Sequence, residues 1–289
     1  MDLAALRIFK SVVEHGGINK AAAKLHRVPS NVTTRIKQLE ERLGAKLFLR
    51  VGRRLALSTE GRLLLTYADQ LLRLSSEAET AMRNGKPRGT LRIGALESTA
   101  ASRLPPVLSR YHALYPDVQI GLVTGTSGAL VEGVHKQDVE AAFVAEPFNA
   151  EGLETQTVFV EELVLITPKS VGPVRSAKDI GNRTVIAFTT GCSYRRRLES
   201  WLGASKLLPD RVIEFQSYHA IIACVAAGSG IAIVPRAVLE LTGAGKHVST
   251  TALPAVIAAT RTQLVWRRGH HSVTLEAMKN LFATKPKAH

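Results

Sequence analysis

Apolar residues recur at helical spacing through the first 44 residues and predict three short helices. Gly16 and Gly17 end the first helix, and the second, rich in alanine, covers roughly residues 19–26. A break that contains Pro29 precedes the third helix, for which Ser30 is the expected N-cap and Gly44 the terminator. The third helix should bury one face only, formed by Val32, Ile36, Leu39 and Leu43.

The opposite face of the third helix carries polar and basic side chains. Two short apolar stretches around residues 51–54 then predict a small hairpin with arginines at and beside its tip. A helix, a tight break, a helix with a polar leading face and a basic hairpin form a winged helix-turn-helix, which inserts its second helix into the major groove of DNA. The alternative is a small helical interaction module over residues 1–58 with a solvated charged face.

A long helical pattern follows from Ser58 to about Asn84. Its candidate seam has residues alternately four and three apart, as paired helices require. The seam consists of Leu64, Ala68, Leu71, Ser75, Ala78 and Met82. Because so long a helix has little to pack against within one small module, we expect a dimer. The glycine and proline content of residues 85–89 indicates a hinge.

Beyond residue 89, short β-rich runs alternate with helices, which predicts an α/β domain with mainly parallel sheets. The runs are TLRIGAL, VQIGLVTG, VEAAFVA, ELVLITP, RTVIAFT, IIACVAAG, GIAIVP and LVWRRG. Polar residues gather at four junctions between runs and helices, where hydroxyls and free backbone N–H groups favour a carboxylate or another anion. These candidates for one ligand cleft are Ser98, Thr99, Thr126, Ser127, Cys192, Ser193, Tyr194, Tyr218 and His219. Ordinary helix capping is the alternative use of such residues.

Composition narrows the class of protein. A chain of 289 residues with 45% hydrophobic residues suits two domains, or a small module joined to a larger one. No apolar run approaches the roughly 20 residues that cross a bilayer, so no membrane span is expected. The first ten residues lack the features of a signal peptide, and the two cysteines suit reduced thiols, so we expect a cytoplasmic protein.

Positive charge concentrates in the first third of the chain. Residues 1–89 contain 17 Lys and Arg against 8 Asp and Glu, which is +9 of the net +14. Such clustering is typical of phosphate binding. By itself it is equally compatible with an anionic membrane surface or with solubility alone.

Catalytic and metal-binding motifs are missing from the sequence. There is no GxSxG turn and no P-loop, and Gly228-Ser229-Gly230 lacks the third glycine of a dinucleotide fingerprint. Cys192 with a distant histidine is a conceivable nucleophile pair, but a lone cysteine is more often inert. The nine histidines show no metal-ligand spacing. We therefore expect no enzyme activity, no metal and no cofactor.

Several segments resemble the LysR-type transcriptional regulators over nearly the whole chain. They are AAAKLHRV, RIKQLEERLGAKLF, LSTEG, YPDVQI and AAGSGIAIVP. The resemblance implies an all-α winged helix-turn-helix domain (1–58), a dimerising linker helix (59–84), a hinge (85–89) and an α/β effector domain (90–289). The effector domain would have two Rossmann-like subdomains, as in periplasmic binding proteins: I over about 90–166 and 267–289, and II over about 167–266. LHRVPSN, LESTAA, GCSYRR and LVWRRG are similar to the branch that contains the putrescine-utilisation regulator.

The resemblance also implies partners. These are a double-stranded operator, a small-molecule effector such as a carboxylate or a polyamine-pathway metabolite, RNA polymerase, and further copies in a dimer or tetramer. Where the family usually has Ser-Gln-Pro-Ala-Leu-Ser, residues 28–33 are Val-Pro-Ser-Asn-Val-Thr, so the base-contacting glutamine is absent. The predicted DNA contacts are Ser30, Asn31, Thr33, Thr34, Arg35, Lys37, Arg50, Arg53 and Arg54. The rival function is an α/β binding protein or enzyme with a basic oligomerisation head.

Overall fold

The computed structural model describes residues 1–51, 54–82, 86–172, 174–181 and 183–283. These residues form two compact units, which meet in sequence between Lys86 and Pro87. Within the described residues, no helix combines the length and apolar character needed to span a membrane.

The first unit is a small helical domain with a two-stranded hairpin. Its elements are α1 (Leu3–Glu14), α2 (Ile18–Lys24), α3 (Pro29–Leu43), β1 (Phe48–Val51), β2 (Arg54–Leu57) and α4 (Thr59–Met82). Asp2 caps α1 by accepting a hydrogen bond of 2.7 Å from the Ala5 N–H. β1 and β2 are antiparallel, with Phe48 opposite Leu57. The predicted order of helices and hairpin is therefore present.

The core of the first unit lies among α1, α2, α3 and the start of α4. Phe9 is fully buried and contacts the ring of Phe48, with the ring centroids 5.4 Å apart. Val32, Ile36 and Leu39 are buried as predicted, but Leu43 is 40% exposed because the helix ends there, at Gly44 in the left-handed conformation. The apolar underside of α3 is thus attached to the core over its first three turns.

The start of α3 differs from the prediction. Val28, not Ser30, occupies the N-cap, and it makes no side-chain capping bond. Pro29 is the first helical residue, where its fixed φ suits the helix and its missing N–H removes no intrahelical bond. Ser30 is consequently the second residue of the helix, exposed in its first turn.

The exposed apolar residues of the linker helix α4 are not the ones that the predicted seam contained. Leu64 and Ala68 are buried in the core of their own unit, so these two positions do not face a partner. A different set of large apolar side chains is exposed along α4, with spacings of four, four, three and eight residues. It comprises Leu63, Tyr67, Leu71, Leu74 and Met82. The exposed seam therefore retains Leu71 and Met82 but begins one residue earlier than predicted.

The second unit is an α/β domain. Its strands are β3 (Gly89–Ala95), β4 (Val118–Thr124), β5 (Ala141–Ala145), β6 (Leu153–Pro168), β7 (Val185–Phe188), β8 (Val212–Phe215), β9 (Ala232–Pro235), β10 (Val248–Ala252) and β11 (Ala259–Arg267). Its α-helices are α5 (Glu97–Ser102), α6 (Leu104–Leu114), α7 (Ser127–His135), α8 (Ser193–Ala204), α9 (Tyr218–Ala226), α10 (Arg236–Thr242), α11 (Ala255–Ala258) and α12 (Val273–Ala283). The apolar run IIACVAAG, grouped above with the β-rich runs, is mostly helix α9.

The central sheet is mixed rather than mainly parallel. Its order is β10-β6-β11-β5-β3-β4, with β9 also paired to β6. β3 is parallel to β4 and β5, whereas β11 and β6 are antiparallel to all their neighbours. β7 and β8 form a separate parallel pair, which one bridge between Val185 and Ile231 connects to the segment before β9.

Strand β6 connects two lobes. Residues 153–162 of β6 pair with β11, and residues 163–168 pair with β9 and β10. The first lobe therefore contains β3, β4, β5, β11 and the start of β6, and the second lobe contains β7 to β10 and the end of β6. The predicted subdomain II extended to residue 266, but residues 262–266 pair with β5 in the first lobe.

One buried carboxylate holds the hairpin of the first unit against α3. Glu40 Oε1 accepts hydrogen bonds from the N–H groups of Leu47 (2.9 Å) and Phe48 (3.4 Å), and its Oε2 accepts one from Lys46 Nζ (2.9 Å). Burial acts to raise the pKa of Glu40, but these three hydrogen bonds outweigh it and lower the pKa below its usual value. Glu40 therefore stabilises the hairpin as a carboxylate.

Replacing Glu40 with alanine should loosen the hairpin. The buried Leu47 amide would lose its acceptor, which costs about 1–3 kcal/mol. We expect amide exchange in residues 45–51, measured by mass spectrometry, to accelerate accordingly. The matched control is Glu41→Ala, which removes an exposed neighbouring carboxylate. Equal exchange in both variants would contradict this role.

The same contact should depend on pH. Because the pKa of Glu40 is lower in the folded chain, its stabilisation is complete above the unfolded pKa of about 4.3 and disappears as the pH falls through the folded value. Wild-type protection factors in this segment should fall below that pH, and those of Glu40→Ala should not follow the same titration.

Candidate functional sites

The exposed face of α3 is the first candidate site. Asn31, Thr34, Arg35 and Lys37 are all exposed, on the side opposite the buried stripe. Ser30 is exposed in the first turn as well. Since the underside of α3 is attached to the core, these side chains share one rigid, polar surface.

Two of the predicted DNA contacts already make hydrogen bonds within the unit. Thr33 is half-buried, and its Oγ1 donates to the Pro29 carbonyl at 2.9 Å. Asn31 Oδ1 accepts a hydrogen bond of 3.4 Å from Arg27, an exposed residue that was not among the predicted contacts. Arg27 extends the basic surface into the break before α3. Its position beside the polar face was the signal that the sequence offered.

Basic residues of the hairpin stand next to this surface in the chain. Arg50 is exposed on β1, where it pairs in register with Leu55 of β2. Arg53 lies outside the described residues, and the side chain of Arg54 does too.

The pKa of Asp2 is lowered, mainly by its hydrogen bond from Ala5 and more weakly by the nearby guanidinium of Arg35.

The second candidate site is a narrow cavity between the two lobes of the second unit. Its volume is about 10 Å³, room for about one water molecule. In the first lobe, the segments that follow β3 and β4 form one wall of the cavity. In the second lobe, the starts of α8 and α9 form part of the other wall. The lining residues are Leu96, Glu97, Ser98, Gly125, Thr126, Phe188, Cys192, Ser193, Tyr194 and Tyr218.

The structure brings six of the nine predicted effector residues to this cavity. They are Ser98, Thr126, Cys192, Ser193, Tyr194 and Tyr218. Thr99 and Ser127 are buried next to lining residues, and His219 is exposed at the start of α9. The four polar junctions of the sequence therefore meet at one place.

Two of these hydroxyls have a structural task. Ser193 Oγ donates to the Ala145 carbonyl at 2.8 Å and lies 2.9 Å from Ser127 Oγ, which itself is 3.1 Å from the same carbonyl. These bonds attach the starts of α7 and α8 to the end of β5, across the two lobes. Thr126 acts as a helix cap, because its side chain accepts a hydrogen bond from the Ala129 N–H at 3.3 Å.

Four other polar atoms in and beside the cavity are buried and make no hydrogen bond of normal length and angle, although the Ser98 hydroxyl is close enough to those of Tyr194 and Tyr218 to act on their pKa values. They are Glu97 Oε2, Ser98 Oγ, Thr99 Oγ1 and Tyr194 OH. Leaving such an atom unsatisfied costs about 1–3 kcal/mol, so a cluster of four is typical of a binding site rather than of a core. Glu97 was not predicted, because an acid in the first turn of a helix has an ordinary stabilising role.

Burial controls the ionisation of the cavity. It raises the pKa of Glu97, against the opposing effects of the Tyr218 N–H and of His219. Burial also raises the pKa values of Tyr194 and Tyr218, so both phenols are neutral at physiological pH. The pKa of the Cys192 thiol is raised by burial too, although the N–H groups of Arg195 and Tyr194 partly offset the effect. Cys192 is therefore a thiol that contributes shape rather than a reactive thiolate.

Metal ligation has no support in the described residues. No group of three or more His, Cys, Asp or Glu side chains there could hold a metal ion.

A helix-turn-helix head with a basic hairpin, followed by a two-lobed domain with a polar cavity at the lobe interface, defines the class of ligand-binding DNA-binding proteins. Residues 3–62 match the family of bacterial regulatory helix-turn-helix proteins of the lysR type, and residues 84–286 match the LysR substrate binding domain. The chain belongs to the LysR family: it is a DNA-binding transcriptional regulator with a substrate-binding effector domain, as the sequence resemblance implied.

Curated relatives and solved structures agree with this membership. The transcriptional regulator GltR of Bacillus subtilis is 39% identical over 83% of this chain and 81% of its own length. The regulator YofA of Bacillus velezensis is 40% identical over 88% of each chain. Full-length CbnR, solved in complex with its target DNA, shares the fold with a TM-score of 0.71 at 21% identity, over 98% of this chain and 99% of that one. The relatives are thus named as regulators, not as enzymes.

The cysteines should differ in reactivity toward a thiol reagent. Cys192 is buried and protonated, whereas Cys224 is only partly buried. In native protein treated with N-ethylmaleimide, we expect Cys224 to be modified first and Cys192 to react only after denaturation. Peptide mass spectrometry distinguishes the two sites. In the control variant Cys224→Ser, Cys192 is the only cysteine, so any labelling of the native variant reports on Cys192. Fast modification of Cys192 in the native state would contradict a buried thiol.

Proposed function

We propose that this protein controls transcription by binding a two-fold symmetric operator through paired α3 helices, and that a small molecule in the cavity between the lobes modulates this binding. The observation that carries the proposal is the cluster of four buried, unpartnered polar atoms at the lobe interface. An internal cavity of a purely structural domain would satisfy these atoms or replace them with apolar groups.

On DNA, the roles divide according to chemistry. Asn31, Thr34 and Arg35 address base edges from the first turns of α3, and Lys37 and Arg50 contact phosphates. Arg53 and Arg54 of the hairpin serve the neighbouring backbone or minor groove. Ser30 keeps an exposed hydroxyl for either use, and Thr33 needs only to release its bond to Pro29.

Assembly follows from the exposed seam of α4. Leu63, Tyr67, Leu71, Leu74 and Met82 form an apolar stripe that a second α4 covers in a dimer. Two such dimers would form the tetramer that is usual in the LysR family. RNA polymerase is a further proposed partner at a promoter. A regulator of this kind acts in the cytoplasm. The names of its relatives support a role in binding and regulation.

The closed cavity supplies a mechanism of response. Because about 10 Å³ admits little more than a water molecule, any larger effector has to separate the lobes. An effector that binds the separated form better shifts the population toward it. The change in lobe separation is then transmitted through the linker to the spacing of the DNA-binding heads.

Replacing Arg35 with alanine should weaken DNA binding. Loss of a base contact costs about 1–3 kcal/mol and relaxes the preference at one position of the site. The measurement is a gel-shift titration on fragments that the wild-type protein selects from a random library. Arg110→Ala, which removes an exposed arginine from α6 of the other unit, is the charge-matched control. If both variants bind like the wild type, Arg35 does not contact DNA.

The response can be tested with any small molecule that raises the melting temperature of the protein, since preferential binding to the native state does so. We expect that compound to alter the length of the DNase I footprint and the small-angle scattering profile of the free protein. A compound that binds in the cavity and changes neither would refute the switching mechanism, while DNA recognition by α3 would remain.

A further inference from the structure

The cavity between the lobes carries negative charge. Glu97 is an acid in its lining, and no lysine or arginine is among the lining residues. Two nearby arginines are already paired: Arg103 makes a double hydrogen bond to Glu161, at 2.7 and 2.9 Å, and Arg195 bonds to Glu199 and Glu214. The charge of Arg197 acts on Tyr194, and His219 acts on Glu97 itself, but neither residue lines the cavity. A free carboxylate beside Glu97 would therefore meet a negative charge that no lysine or arginine of the lining offsets.

Glu97 is half-buried, and its unpartnered oxygen is exceptional among the glutamates with buried carboxylate oxygens that the structure describes. Glu40 accepts two amides and a lysine, and Glu161 binds Arg103 through both oxygens. Glu140 accepts hydrogen bonds from Ser272 at 2.7 Å and from the Arg92 N–H at 3.4 Å. Glu97 Oε2 alone of this group is buried and receives nothing. Burial of the acid therefore has a cost that an added donor would remove.

Aromatic rings line the same cavity. Phe188 and Tyr218 both line the cavity, with their ring centroids 4.7 Å apart. The faces of such rings attract a cation, particularly where water is excluded. Acid and rings together favour a positively charged donor over a neutral one.

The remaining unpartnered atoms are hydroxyl oxygens. Ser98 Oγ, Thr99 Oγ1 and Tyr194 OH can each donate to an acceptor. Neutral donors in and beside a cavity that also contains one acid fit a ligand with a cationic end and an oxygen-bearing end.

We propose that the effector carries a primary ammonium group, which donates to Glu97 Oε2, on a short skeleton whose oxygen accepts from the hydroxyls of Ser98, Thr99 and Tyr194. Amino acids are the compound class that fits best, and hydroxylated or plain amines share the ammonium. The inference depends on the proposed effector site in this cavity. The sequence left open two classes of effector, carboxylates and polyamine-pathway metabolites. The inference requires an ammonium group, so it excludes carboxylates that lack one.

The experiment compares compounds that differ only in the amino group. Full-length protein is titrated calorimetrically with the twenty amino acids and with the amine-free partners propionate, succinate and glutarate, which match alanine, aspartate and glutamate. Putrescine and propylamine form a third arm, without a carboxylate. We expect at least one ammonium compound to bind and its amine-free partner to bind at least tenfold more weakly. Putrescine and propylamine, which have no carboxylate, show whether the oxygen-bearing end of the ligand is required.

Two variants assign the effect to Glu97. Glu97→Gln keeps the shape and removes the charge, so it should weaken the ammonium compound tenfold or more, as expected for a lost charge-assisted hydrogen bond. It should melt no lower than the wild type without ligand, because a costly buried charge is gone. Glu151→Gln removes an exposed carboxylate from the same unit and should bind like the wild type.

Each remaining outcome overturns the inference. If an amine-free carboxylate binds as well as its amino acid, or if Glu97→Gln leaves an ammonium compound unaffected, Glu97 faces only a water molecule. If no ammonium compound binds, the ligand class is wrong. Neither result refutes the proposed function, which the footprint and scattering of any other bound compound test separately.

Discussion

Both units depend on the cost of burying a polar atom without a partner. Glu40 shows the satisfied case: one carboxylate gathers two backbone amides and a lysine, and the hairpin stays beside α3. Ser127 and Ser193 show it again, since their hydroxyls meet at the Ala145 carbonyl and connect the lobes. The constraint is left unmet at Glu97, Ser98, Thr99 and Tyr194, whose buried atoms lie in and beside the narrow cavity between the lobes.

The second constraint is the continuity of β6. Because one strand pairs with β11 in its first part and with β9 and β10 in its second, the lobes cannot separate without bending at their shared strand. An apolar cluster that includes Val144 of the first lobe and Val234 of the second is continuous between them. Closure of the lobes is therefore stabilised by burial, and a ligand has to compensate for the apolar contacts it disrupts. In the proposed mechanism, this opposition makes the domain responsive to a ligand.

Recognition in the first unit rests on division of the helix α3 into two faces. The buried side chains Val32, Ile36 and Leu39 hold the helix in place, and polar and basic side chains are exposed on the opposite side. A basic polar face of this kind gains affinity for DNA from phosphate contacts and sequence selectivity from base contacts. The contribution of the phosphate contacts falls as the salt concentration rises. The proline at the start of α3 fixes the backbone of the first turn, from which the exposed polar side chains project.

The sequence by itself determined what depends on neighbours a few residues apart. The helical stripe of α3, the change from helical to β-rich pattern after residue 89 and the polar junctions at Ser98, Thr126 and Cys192 are all local signals, and the structure contains them. The N-cap was misplaced by two residues because a proline at the first helical position competes with a serine cap, and only backbone geometry decides between them.

Tertiary structure decided what depends on distant partners. The antiparallel placement of β11 beside β5, the burial of Leu64 and Ala68 inside their own unit, and the position of Glu97 in a closed cavity follow from contacts between segments far apart in the chain. An acid in a first helical turn looks the same in sequence whether water or a lobe interface surrounds it. Burial and pairing are properties of the assembled fold, and for that reason the position of the Glu97 carboxylate in the cavity became visible only there.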